Sequence, residues 1–250
     1  MKLSGQSILV TGATGAIGQA ICQALVADGA TVVIHYGRNR DAAEALLKTL
    51  DAKAWCVPAD LSDPAGPQML WDGALAAAGR LTGLVNNAGI RSEVAIDAPM
   101  EEWQQVWVRE MRVNFLSAVD LSKFAIQHFR ENGGGRIVNM ASRAGQRGYT
   151  SNAMAYGASK AALINLTKSI AQSHGHEGVT AVALAPGWVR TEMAEAYIAE
   201  HGEAAALAGI PIARMAAPEE IGEITAFAFR PSQASLNGAV LDVNGGSYMR

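Results

Sequence analysis

Cysteine is nearly absent: two residues in 250, with no CxxC pair, exclude a disulfide scaffold and give no zinc or thiol-redox pattern. Cys22 falls in an apolar helical pattern and Cys56 in a strand-like run, so both are expected as core thiols. Histidine is scarce too. His174 and His176 alternate near a helix end with no cysteine or further histidine beside them, which makes no metal site. The formal net charge is -3 and no run of Lys and Arg stands out, whereas phosphate backbones are bound by such clusters, so no nucleic-acid partner is expected. No stretch approaches the ~18 uninterrupted apolar residues of a membrane span, and the opening MKLSGQSILV has too short an apolar segment for a signal peptide. The expectation is a cytoplasmic protein with small-molecule partners and no membrane. Repeats, low-complexity tracts and Pro/Gly/Ser linkers are also missing, which leaves one domain over 1–250.

What is present is hydrophobic residue in half of all positions, arranged in short runs. SILVTG, TVVIHY, KAWCV, GLVNNAG, RIVNMAS, TAVALAPG and AVLDVNGG read as about seven strands separated by helix-length segments. Their Val, Ile, Leu and Ala show little polar alternation, as expected of a parallel sheet covered by helices on both faces. The fold class is therefore α/β, a doubly wound parallel sheet, and such sheets bind ligands at the carboxyl ends of their strands.

The first strand runs through Gly12, Gly15 and Gly18, with Thr14, Ala16 and Ile17 between them, into an apolar-periodic helix. Glycines let the chain turn sharply and approach a pyrophosphate, whose charge the helix start favours. About 20 residues on, where an acid would bind the ribose of NAD, no acid stands. Tyr36, Gly37, Arg38, Asn39 and Arg40 occupy that turn instead. Two guanidinium groups suit a 2′-phosphate, so NADP is preferred and NAD kept as the alternative.

Tyr156 and Lys160 stand four apart in AYGASKAAL and so share one helical face. A free phenol titrates near pH 10 and a neighbouring ammonium favours its ionised form, which makes the pair a tunable acid and base. It could give a proton to a carbonyl oxygen receiving hydride, or take one from an alcohol. Gly157, Ala158 and Ala161 leave room beside it.

With TGATGAIG, NNAG, MAS, YGASK and PGWVRT in this order, the chain resembles the short-chain dehydrogenase/reductase family over nearly its whole length, and within it 3-oxoacyl-carrier-protein reductases. The resemblance implies a Rossmann-like fold and an oxidoreductase that interconverts a carbonyl and a secondary alcohol. It makes Tyr156 the catalytic acid/base, with Lys160 lowering its pKa and bonding the nicotinamide ribose. Ser142 would hold the substrate oxygen, and Asn114 would support a water relay to the lysine. It further assigns Asp60 and Leu61 to the adenine and the segment Asn86 to Gly89, with Asn87 and Ala88, to the cofactor's passage. Val189 and Thr191 would orient the carboxamide after the turn at Pro186 and Gly187.

The resemblance also implies a substrate lid around 191–215 and paired interface helices, here over MEEWQQVWVREMRVNFLSAVDLSKFAIQHF and AMAYGASKAALINLTKSIAQSHG, giving a homotetramer in which Trp103, Trp107 and Phe124 could bury. Three departures stand out: Ala16 where family enzymes of this length carry glycine, a Ser142-to-Tyr156 interval one residue longer, and AFAFRPSQASLNG without the usual Ser-Asp. Arg91, Arg143, Tyr149 and Trp188 fall in strand-end loops as candidate pocket residues. The substrate stays open among a 3-oxoacyl thioester, a small ketone and a sugar. Basic residues that would dock an acidic carrier near SHGHEGV are missing, with Arg130 nearby. A non-catalytic NADPH-binding regulator and an epimerase or dehydratase are the rival readings.

Overall fold

The strands form because their β-branched and aliphatic runs can be buried on both sides, and a period of two then divides each run between two separate cores. In the computed structural model, which describes residues 2–50 and 53–250, seven strands pair in parallel in the order β3-β2-β1-β4-β5-β6-β7. They are β1 Ser7–Val10, β2 Thr31–Tyr36, β3 Ala54–Pro58, β4 Gly83–Asn86, β5 Gly135–Met140, β6 Val179–Pro186 and β7 Val240–Val243. Ile8, Val32 and Ile34 face one core; Leu9 and Val33, between them in sequence, face the other.

The first core is closed by α1 Ala16–Ala27, α2 Arg40–Thr49 and α10 Pro218–Phe229, the second by α3 Gly66–Ala78, α5 Ser117–Glu131 and α7 Met154–His174. Between them in the chain come α4 Met100–Met111, the short α6 Ala144–Arg147, and α8 Glu192–His201 with α9 Glu203–Leu207. The expected doubly wound α/β architecture is thus observed. Strand order reverses between β1 and β4, which opens a crevice at their carboxyl ends where ligands of such sheets bind.

Two local features depart from the reading of the sequence. The long helix expected from Met100 to Phe129 is interrupted by five residues of π-helix, Arg112–Leu116, between α4 and α5. A π turn widens the helix and shifts the face each residue presents, and here it turns the polar Asn114 inward, 1 % exposed. Cys22 is buried as expected, but Cys56 is only partly buried and its thiol donates to the Ala43 carbonyl.

The segment 229–237, which lacks the family's Ser-Asp, has a structural role. Arg230 pairs with Asp28 at 2.9 Å, and Asn237 accepts from the Ala181 amide at 3.0 Å and donates to the Ala171 carbonyl at 3.0 Å. The segment thereby ties α7 to β6. Among the described residues no helix is long and apolar enough to cross a membrane, and no group of three or more His, Cys, Asp or Glu is placed to hold a metal.

Candidate active site

A cleft of 570 Å³ runs along the strand ends from the glycine turn to Thr191 and the start of α8. At its floor Gly12 has φ +59, in the left-handed region that glycine tolerates, and a β-carbon there would come 2.8 Å from the Ala88 Cα. A β-carbon on Gly18 would strike the Gly12 carbonyl oxygen and lie 2.6 Å from the Ala13 Cα, so this glycine lets α1 press onto the turn. Gly15 differs: the nearest atom to a β-carbon there is the Gly12 oxygen at 3.9 Å, which leaves open space on the cleft side.

Polar side chains hold this turn in place. The Thr11 hydroxyl accepts from the amides of Asn87 and Ala88, both at 2.9 Å. Asn87 returns two bonds to the carbonyls of Thr11 and Gly12, at 2.9 and 3.0 Å. His35, on β2, accepts from the Gly12 amide through Nδ1 at 2.9 Å while Nε2 donates to the Ala59 carbonyl at 3.1 Å. The Gly12 bond requires an unprotonated Nδ1 and so the neutral ring, and burial pushes its pKa down to about 4, against smaller opposing effects of the Ala59 bond and Asp60. His35 is a site residue that the sequence reading missed. Its only trace there is a polar residue inside the apolar run VVIHY.

At the β2 end, the candidate 2′-phosphate residues separate. Asn39 lines the cleft and caps α2 by accepting from the Ala42 amide at 3.0 Å. Arg40 is turned along α2 into an exposed pair with Glu44 at 2.7 Å. Arg38 is exposed and its charge is felt at Asp60. Tyr36 packs against the first core. Asp60 closes its own turn by accepting from the hydroxyl and amide of Ser62, which holds its carboxyl below the usual range. Leu61 sends its side chain into the second core, leaving only its backbone for a cofactor.

At the far end, β5 delivers Ser142 and α7 delivers Tyr156 and Lys160. Burial pushes the Tyr156 phenol up to about 12, with the Ser142 hydroxyl partly offsetting the rise, so the longer interval between them does not keep them apart. The Lys160 ammonium lies 5.7 Å from the Tyr156 ring centroid and donates to the Met140 carbonyl at 2.8 Å. Burial pushes Lys160 itself down to about 8, opposed by the carboxylate of Glu110.

Asn114 is fully engaged: Nδ2 donates to the Ile90 carbonyl at 2.8 Å and to Ser159 at 3.1 Å, and Oδ1 accepts from the Ile90 amide at 2.7 Å. Its side chain fixes the loop just after Gly89, and a β-carbon on Gly89 would come 3.3 Å from the Lys160 Nζ and 3.4 Å from the Asn114 Oδ1. Glu110, one turn before Asn114, is fully buried, accepts from the Ser92 amide at 3.0 Å and has its carboxyl pushed upward by burial. No sequence pattern pointed to it.

Pro186, Gly187, Val189 and Thr191 line the same wall. Thr191 caps α8 through its hydroxyl, and Trp188 packs on Tyr197 of α8 with ring centroids 4.9 Å apart. The segment expected as a lid is thus anchored to the cleft wall by an aromatic pair and a cap.

A nicotinamide dinucleotide fits this construction. The N-terminus of α1 carries no side-chain cap and no acidic residue in its first turn, leaving its amides and positive dipole end for an anion. Gly15 clears the approach to it.

Comparison with known proteins agrees. A family model described as short chain dehydrogenase matches residues 6–202. The chain is 34% identical over 250 residues, all of both chains, to the 3-oxoacyl-[acyl-carrier-protein] reductase FabG of Escherichia coli (strain K12). It is 36% identical over 252 residues, 99% of this chain and 98% of the relative, to a 3-oxoacyl-[acyl-carrier-protein] reductase of Synechocystis sp.. A solved structure titled as the active-site complex of Pseudomonas aeruginosa RhlG with NADP superposes with a TM-score of 0.89 at 31% identity, covering 99% of this chain and 98% of that one. The chain belongs to the short-chain dehydrogenase family. It is an oxidoreductase that works with a nicotinamide cofactor on a small molecule.

Proposed function

We propose that the protein is an NADP(H)-dependent oxidoreductase that interconverts a carbonyl and a secondary alcohol, with reduction as the favoured direction. The observation that carries this is the continuity of one cleft from the glycine turn to Ser142, Tyr156 and Lys160. NADP(H), when bound, supplies or accepts the hydride. The turn from Gly12 to Gly18, with Thr14, Ala16 and Ile17, holds its pyrophosphate; Arg38 meets the 2′-phosphate beside Asn39; Asn87, Ala88 and Gly89 border its path. Pro186, Gly187, Val189 and Thr191 border the nicotinamide end. The NADP in the Pseudomonas aeruginosa relative supports this choice of cofactor.

Ser142 and Tyr156 grip the carbonyl oxygen. A phenol raised to about 12 holds its proton throughout the neutral range, so Tyr156 enters as the acid that protonates the developing alkoxide. Lys160, held beneath Gly89 by the Met140 carbonyl, places a positive charge next to that site, and Asn114 fixes the backbone around it. The exposed Met100 and Val108 on α4, beside the partly buried Trp103 and Trp107, support a homotetramer through the α4–α5 and α7 faces, and sedimentation as a monomer would end that part. The deciding experiment is parallel fluorescence titration with NADPH and NADH, followed by a carbonyl screen with the preferred cofactor. Tighter NADPH binding and Tyr156-dependent turnover are expected; binding of neither nucleotide would reject the reading.

A further inference from the structure

Arg143 follows Ser142 directly and lines the same cleft, yet it is only 7 % exposed. Among the described residues no acceptor is hydrogen-bonded to its guanidinium and no carboxylate lies within ion-pair distance. Other withdrawn arginines are partnered. Arg136 donates to Thr180 at 2.9 Å and to the Ala228 carbonyl, Arg112 pairs with Asp120 at 2.5 Å, and Arg91 pairs with Glu93 at 2.5 Å. A guanidinium stays charged at any working pH, and the partial desolvation of such a charge at the cleft wall without a partner is unfavourable. A built-in cation without a counter-ion, aimed into a ligand cleft, is therefore a place for a ligand's anion.

We propose that Arg143 binds the substrate's carboxylate, so that the protein acts on a small oxo acid or the matching hydroxy acid. The identity of the reacting carbonyl rests on the oxidoreductase reading above; the anion site does not. Tyr149 stands between the two features: its ring is 5.5 Å from that of Tyr156, Arg91 covers it at 5.5 Å, and its phenol bears on Arg143. Arg91 is already neutralised by Glu93, which also accepts from Asn152 at 2.7 Å, and Lys160 is committed to Met140. Arg143 is thus the cation left for a ligand in this corner. Glu192, on the facing wall at the start of α8, does not reach it.

A single guanidinium fork matches a carboxylate in paired bonds and balances its one negative charge, and Arg147, the next basic residue, is exposed and outside the cleft lining. The acyl thioester of a carrier-linked substrate carries no charge beside its carbonyl to offer Arg143. The region expected to dock an acidic carrier is also self-paired: Glu177 takes Arg130 at 3.0 Å and His174 at 2.6 Å.

The test is calorimetric titration of the NADPH-loaded protein with 2-, 3- and 4-oxo acids, each paired with its methyl ester, and with inorganic phosphate. At least one acid should bind about tenfold or more tightly than its ester, the scale of a charge-assisted bond. Arg143→Met should bring that acid to the level of its ester and leave ester binding unchanged, with Arg143→Lys between them. The acid-to-ester ratio is internal to each variant, so a partly unfolded preparation does not distort it. No acid preference in the panel, a preference that survives Arg143→Met, or phosphate binding tighter than every acid would overturn the assignment. Reduction of an ester without acid preference would leave the oxidoreductase reading standing while removing this one; selective acid binding without reduction of either would do the reverse.

Discussion

At the glycine turn the fold supplies its own partners: Thr11 serves two amides and Asn87 two carbonyls, and His35 uses both ring nitrogens. Around Ser142 the side chains keep capacity in reserve. The Glu110 Oε1 and Arg91 Nε are buried without a partner, and the Arg143 guanidinium, which opens to the cleft, has no side-chain or backbone partner among the described residues. On the proposed function the first end binds a constant part of a cofactor, so shape and backbone amides are enough and can be completed in advance. The second must recognise a substrate and move a proton, and groups that were already satisfied could do neither. The hydrogen bonds of Thr11, Asn87 and His35 are complete at the glycine turn, whereas Glu110, Arg91 and Arg143 keep unpaired capacity beside Tyr156 and Lys160.

The sharpest way to separate the two ends is to remove one oxygen from the second. Tyr156→Phe takes away the proton donor while leaving the glycine turn untouched. Turnover should fall by about 10²–10⁴, the usual contribution of a positioned acid, with NADPH affinity within a factor of about two of wild type. Steady-state rates and a fluorescence titration check both halves. Activity near the wild-type level in this variant would mean that another group protonates the product.

The complementary break is at the anchoring end. Gly18→Ala places a β-carbon against the Gly12 oxygen and 2.6 Å from the Ala13 Cα, both backbone atoms that cannot swing aside. The strain should cost about 3 kcal/mol of stability, at the upper end of overpacking effects, read as a lower urea midpoint at unchanged slope. Gly15→Ala is the control. Its β-carbon meets nothing closer than 3.9 Å, so stability should hold while pyrophosphate binding weakens.

The two ends were also unequally legible in the sequence. The seven strands, the glycine turn and the Tyr156–Lys160 pair are local patterns, each decided by residues within one element, and the structure contains them all. What escaped depends on tertiary neighbours. Nothing in MRVNFL announces the π turn that buries Asn114, since that register is settled by packing. Arg38 and Arg40 look equivalent as text, yet Arg40 has Glu44 one turn away on its own helix and Arg38 does not. Asp60 and Leu61 looked like a contact pair, but one closes a turn with Ser62 and the other fills the core. Arg143 reads as an ordinary loop arginine until its burial and lack of a partner are seen together.

His35 offers a pH test confined to the anchoring end. Its pKa is about 4 in the fold against 6.5 for the free ring, so the unfolded chain takes up the proton first as pH falls. Stability from this group is fully present above pH 6.5 and is lost as pH drops toward 4. By pH 5 the loss should be about 2 kcal/mol. Urea unfolding between pH 7 and 5 should show this slope in the wild type and a flatter one in His35→Gln. Equal slopes would mean that the Gly12 bond does not depend on the neutral ring.

The smallest effect sharpens the comparison inside the anchoring end itself, where cofactor choice depends on exposed side chains. Arg38→Ala should weaken NADPH about tenfold and leave NADH unchanged, because one solvent-exposed charge-assisted contact to a phosphate is worth roughly 1–1.5 kcal/mol. Arg40→Ala should change NADPH affinity by less than about twofold, since its guanidinium is held by Glu44 and an exposed pair of this kind contributes little. If Arg40 proved the stronger determinant, the pair with Glu44 would have to open on binding. Glu44→Gln would then tighten NADPH by freeing the arginine, whereas on the present geometry it leaves the affinity where it was.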